Sequence, residues 1–192
     1  MTSATGPRAG MPTSLREAVE RYTADPTPGQ LASLRAVVAS QPTFDPGLEL
    51  RLDVQDRLDA GEAAAVVAEV RAQMPGAFLS PSAHAALAAA HERLGHERIS
   101  QREARLARLA VTSVLAAGVG TREAPWPVLR VADEYDVLAA QGLTSLRQQL
   151  VREGGRLLDG HDVGDERRVW FVLTRGSVDQ HWGHETADDP TV

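Results

Sequence analysis

Apolar positions follow a helical spacing over the first two-thirds of the chain and a spacing of two over the last third. The change falls near Gly118-Val119-Gly120. Ahead of it, Ala-rich amphipathic stretches predict helices over 14–24, 28–40, 46–59, 62–73, 82–94 and 97–117. Their punctuation repeats. Pro12, Pro46 and Pro81 stand at helix entries, 34 and 35 residues apart; Gly61 and Gly95, 34 apart, separate paired helices; Pro42 and Pro75, 33 apart, follow second helices. A period near 34 marks stacked helix–turn–helix units. Ser14 with Glu17 has the form of a capping box, and Thr27-Pro28 and Asp45-Pro46 place an acceptor ahead of a first-turn proline that needs no amide hydrogen.

Beyond the change, 128–131 reads as a strand and Asp133 as the N-cap of a short helix over 134–140, which Gly142 ends. Residues 146–153 and 156–162 flank Gly154-Gly155, a two-residue hairpin signal. Val169, Phe171 and Leu173 alternate with Trp170, Val172 and Thr174, so Phe171 is expected on the core face of a further strand. So small a sheet cannot bury itself, and it is expected to cap the open end of the helical array.

Two resemblances attach to these residues. Ala88, His91, Leu94, Gly95, Ala104 and Ala107 fall near the small and large positions of tetratricopeptide repeats, most clearly over residues 80–112. That resemblance implies a concave surface that holds peptides or partner proteins. Asp133-Glu134-Tyr135-Asp136-Val137-Leu138 resembles the Asp-Glu-Tyr-x-Val-Leu motif of an uncharacterised bacterial family of unknown function. The order of a long helix, the Gly-x-Gly turn, Gln149-Leu150, a glycine hairpin and Trp170-Phe171 extends the likeness over roughly 80–175. Where that pattern carries aspartates, this chain has Val119 and Val172, and Leu158 replaces an aromatic ahead of Asp159. The resemblance implies a fold and no established activity, and the missing aspartates argue against a shared carboxylate site. The expected fold class is α+β: tetratricopeptide-like helical hairpins over 13–117, then a small antiparallel sheet with one short helix over 118–175. Residues 1–12 and 176–192 are expected to be disordered.

Composition removes whole classes of chemistry. The chain has no Cys, Lys or Asn, which excludes thiolate nucleophiles and metal sites, disulfides, Schiff bases and a phosphate-binding Walker lysine. The net charge of −6 concentrates beyond residue 118, where 8 Arg face 13 Asp and Glu. That balance disfavours phosphate backbones, so no nucleic-acid partner is expected. With no stretch of membrane-span length and no signal-peptide core near the N-terminus, a cytoplasmic protein without a membrane partner is expected.

Three groups of residues carry candidate chemistry. Asp133, Glu134 and Tyr135, with Asp136, place three carboxylates within four residues and are the best local ligand candidates. The structural alternative makes Asp133 a cap, Glu134 a partner of the helix dipole and Tyr135 an anchor on the sheet. Arg98, Arg102 and Arg105, followed by Arg108, form a stripe on the last long helix that can clamp an acidic peptide, or be a solvated face paired with Glu97 and Glu103. His91-Glu92 and His96-Glu97 lack the four-residue histidine spacing of zinc proteases, and His181 and His184 fall in the expected tail. No Gly-x-Ser-x-Gly elbow is present. The leading expectation is a non-enzymatic interaction protein that binds another polypeptide, with no cofactor and no metal. The alternative is a small-molecule or metal-binding domain, conceivably an enzyme, whose pocket between helices and sheet uses Asp133, Glu134, Tyr135 and Asp159.

Overall fold

The structure, a computed structural model, describes residues 13–50 and 53–174. The expected disorder of 1–12 and 176–192, and the His181/His184 pair, lie outside these residues. Six helices come first: α1 (Thr13–Ala24), α2 (Pro28–Ala39), α3 (Val54–Asp59), α4 (Ala63–Ala72), α5 (Pro81–Arg93) and α6 (Glu97–Leu115). They are followed by β1 (Trp126–Val128), α7 (Val131–Ala140), β2 (Arg147–Glu153), β3 (Arg156–Asp162) and β4 (Arg168–Leu173). The class is α+β, helices first and sheet last.

Local chemistry sets most of these boundaries. Thr27 Oγ1 accepts from the Gln30 amide at 3.4 Å, and Ser80 Oγ from the Ala83 amide at 3.3 Å, each just ahead of a proline that opens its helix. Asp45-Pro46 behaves differently. Asp45 Oδ1 accepts from the Gly47 amide at 2.8 Å and closes a tight turn, so the expected helix over 46–59 shortens to α3. Leu48 and Leu50, ahead of α3, are buried nonetheless. Ser14 lies inside the first turn of α1, one residue past its start, and is not the cap.

Three apolar clusters hold the fold. Leu58, Val66, Val70 and Leu87 bring α3, α4 and α5 together with Leu48 and Leu50. Leu15, Ala18, Leu34 and Val38 of α1 and α2 close on Leu129, with Phe44 and Phe78 alongside. Val114 of α6 meets Trp126, Val128, Val137, Leu138, Val169 and Phe171, which seats the sheet on the end of the last array helix as expected. Two of the clusters therefore join residues from both sides of position 118.

The sheet order is β1-β4-β3-β2. β2–β3 and β3–β4 are antiparallel, but β1 runs parallel to β4, pairing Trp126 with Phe171 and Val128 with Leu173. The expected antiparallel sheet is therefore mixed. A strand followed by a crossover helix returns in its original direction, so β1-α7-β2 fixes a parallel relation, and two hairpins then bring β4 back beside β1. Phe171 is fully buried in the core, as its place in the alternation requires. On β4, the neighbouring Trp170 ring lies against Gly160, where a Cβ would come within 2.9 Å of the indole.

Candidate functional site

α7 begins where β1 ends, and its N-terminus is fixed by an arginine. Arg130 is the N-cap residue, and Asp133, in the third helical position, accepts from the Arg130 amide at 3.1 Å. Asp133 thus caps from inside the helix and is not the N-cap. The Arg130 side chain is completely buried. Its Nε donates to the Asp45 carbonyl at 2.8 Å and its Nη2 to the Gly76 carbonyl at 2.6 Å, with the guanidinium 4.6 Å over the Phe44 ring. Gly76 is required there, because a Cβ would fall 2.3 Å from the Thr43 backbone. Burial pushes the Asp133 carboxyl up to about 7, against the pull of Arg130. Asp133 is engaged at the start of its own helix by Arg130, and it is Arg130 that ties α7 to the helical array.

Glu134 points the other way, onto β3. It is fully buried, with Oε2 2.8 Å from His161 Nε2, so the residue expected as a partner of the helix dipole is an interior group. Burial drives its carboxyl up to about 7, the His161 hydrogen bond opposing and the nearby Asp159 adding to the shift. The His161 ring turns its Nδ1 to Ser145 Oγ at 2.9 Å and is held edge-on by Tyr135 and Phe171, at 5.3 and 5.4 Å between centroids. Asp159, two residues earlier on β3, takes a hydrogen bond from Gln148 Nε2 on β2. Tyr135 donates to Gln148 Oε1 at 2.7 Å, which makes it the expected anchor of the helix on the sheet.

Glu134, Asp159 and His161 each offer one ligand atom, and these atoms lie within 4.8 Å of one another. Among the described residues this is the one set of three such groups so placed. Glu134 Oε1 and Asp159 Oδ1 are buried without a hydrogen-bond partner. Two carboxylates of this module, Glu134 and Asp159, thus lie together in its interior. Sequence reasoning reached Glu134, Tyr135 and Asp159 but missed His161, Gln148 and Ser145. The signal for His161 is its place two residues after Asp159 in a predicted strand, which puts both side chains on one face.

The arginine candidates occupy a separate surface. Arg98, Arg102, Arg105 and Arg108 are exposed on α6. Arg102 pairs with Glu103 through Nη2 at 2.6 Å and Nε at 3.1 Å. Among the described residues, Arg98, Arg105 and Arg108 make no ion pair. Arg108 lines an open groove of about 400 Å³ where α5 and α6 meet α7, together with Ala85, Ala107, Val111, Leu115 and Asp136. The groove lies among α5, α6 and α7 with no strand residue in its lining, and Asp133, Glu134, Tyr135 and Asp159 do not line it.

His91 and His96 do meet, contrary to what their spacing suggests. The turn at Gly95, with φ of 72°, folds His96 back until the two Nδ1 atoms are 3.2 Å apart. Arg71 Nη2 lies 3.4 Å from His91 Nε2, so that nitrogen accepts and Nδ1 carries the proton toward His96. Burial, then the Arg71 charge, lowers the His91 pKa. A neighbouring guanidinium disfavours a cation there.

Comparison of the chain with protein-family models, curated proteins and solved structures finds no match. No helix among the described residues is long and apolar enough to cross a membrane.

Proposed function

We propose that this chain is a cytoplasmic, non-enzymatic interaction module that holds an acidic segment of a partner protein along α6. The observation that carries this reading is an apolar groove lined by Arg108, on a helix whose Arg98, Arg105 and Arg108 make no ion pair among the described residues. Arg108 lines the groove, while Arg98, Arg105 and Leu109, spaced by seven and four residues, share a separate exposed face of the same helix. Leu109 is 62% exposed, an apolar contact among guanidinium groups that make no ion pair among the described residues. Arginine binds carboxylates through two parallel hydrogen bonds, which favours Asp- or Glu-rich segments. The hairpin spacing near 34 residues, shared with peptide-holding helical repeats, supports the same reading.

The test compares what wild-type protein and two variants retain from a lysate, identified by mass spectrometry. Arg98→Glu/Arg105→Glu reverses the charge of the ridge, and Ala107→Trp fills the groove. An acidic partner retained by wild type at low salt and lost by both variants, with melting temperatures unchanged, supports the reading. The same bound set for all three proteins overturns it.

A further inference from the structure

We propose that Glu134, Asp159 and His161 form a binding site for a divalent first-row transition metal ion, enclosed between α7 and β3. The argument starts from burial. Glu134 and His161 are 0% exposed and Asp159 is 2% exposed. Two carboxylates share this interior, and one oxygen of each, Glu134 Oε1 and Asp159 Oδ1, has no hydrogen-bond partner. Two carboxyls buried side by side can ionise together only where a positive charge compensates them. No arginine among the described residues pairs with either group, and the chain contains no lysine. A dication supplies the missing charge and takes the free lone pairs.

The geometry has the two layers of a metal site. His161 Nε2 and Glu134 Oε2 are 2.8 Å apart, close to the separation of adjacent ligands on one small ion, and an oxygen of Asp159 lies within the same 4.8 Å cluster. Without an ion, the short contact is a hydrogen bond from the ring nitrogen; metal binding replaces that proton. Ligating histidines characteristically use their other nitrogen to hold the ring in place. His161 does so with Ser145 Oγ at 2.9 Å. Gln148 fixes Asp159 and is fixed in turn by Tyr135 at 2.7 Å. Gln148 is exposed and Tyr135 and Ser145 are half-buried, so this supporting layer reaches the surface and marks the route of entry.

One nitrogen and two carboxylate donors suit Zn²⁺, Mn²⁺ or Fe²⁺ better than Ca²⁺ or Mg²⁺, which favour all-oxygen surroundings. Three protein ligands leave a coordination position open for water or a small anionic ligand. The site is independent of the proposed polypeptide groove, which these residues do not line.

The experiment is calorimetric titration of full-length, chelator-treated protein with ZnCl₂ and MnCl₂, and with MgCl₂ and CaCl₂ for comparison. Melting curves are recorded with and without each ion. Saturable one-to-one binding of Zn²⁺ or Mn²⁺ with a raised melting temperature is expected. Glu134→Gln and Asp159→Asn should weaken binding at least a hundredfold. Ser145→Ala should weaken it about tenfold while leaving the fold intact, and Asp162→Asn, at an exposed pair, should have no effect. Absence of saturable binding by wild type overturns the proposal. Affinity unchanged in Glu134→Gln and Asp159→Asn also overturns it, as does binding lost on replacing His181 and His184 but kept in those two variants.

Discussion

His84 and Glu103 form a buried pair that locks α5 to α6, with Nδ1 2.7 Å from Oε2 and the side chains 1% and 5% exposed. His84 Nε2 sits 2.8 Å from the Phe78 carbonyl, which can only accept, so both ring nitrogens donate. Arg102 closes the other Glu103 oxygen at 2.6 Å. Burial opposes the charge on Glu103, but these hydrogen bonds outweigh it and hold the carboxyl at about 2, below its ordinary 4.5.

That depression fixes a pH dependence. A carboxyl with a lowered folded-state pKa stabilises the fold above its unfolded pKa, and the contribution is lost as pH falls through the folded value. Stability should therefore drop between about pH 4.5 and 2. Urea titrations across this range should show a shallower drop for Glu103→Gln than for wild type. At neutral pH, His84→Ala should cost about 3–5 kcal/mol, because it strands a buried charge. An equal acid slope for wild type and Glu103→Gln would show that other groups govern it.

Arg130 should be nearly irreplaceable for stability. Arg130→Ala leaves the Asp45 and Gly76 carbonyls without their donor and should cost about 3–5 kcal/mol in chemical denaturation. Arg130→Lys should recover little of this, since one ammonium cannot span two carbonyls that a guanidinium reaches from separate nitrogens. Full recovery by lysine would mean that charge alone matters at this position.

Tyr135 separates anchoring from ligand contact. Its ring packs edge-on against His161 and its hydroxyl makes a surface hydrogen bond to Gln148. Tyr135→Phe should cost about 1 kcal/mol. Tyr135→Ala should cost about 2–3 kcal/mol, less than for a fully buried ring because the side chain is half-exposed. Loss of partner or metal binding in Tyr135→Phe at unchanged melting temperature would make the hydroxyl a functional group.

The sequence by itself determined what depends on neighbouring residues. Thr27 ahead of Pro28, the entry at Pro81, glycine turns at Gly61 and Gly95, and the Gly154-Gly155 hairpin act within a few positions, and each element they bound was legible. The alternation around Phe171 likewise identified a core position without any long-range information. Even locally the reading failed where two outcomes compete. Asp45-Pro46 suits a helix start as well as a turn, and the Gly47 amide together with the Arg130 contact to the Asp45 carbonyl decided for the turn.

Only the tertiary structure decided the site. Glu134 and His161 are 27 residues apart, and whether they meet depends on which face of α7 turns toward β3. That orientation is set by distant contacts: Val137 and Leu138 entering the core with Phe171, and Arg130 reaching Gly76, 54 positions away in sequence. The sheet's parallel edge has the same origin, since the path of α7 across the sheet fixes the direction of β1 against β4. Local propensity records how each segment folds. The packing of α7 records which of its carboxylates caps the helix and which is carried into the interior.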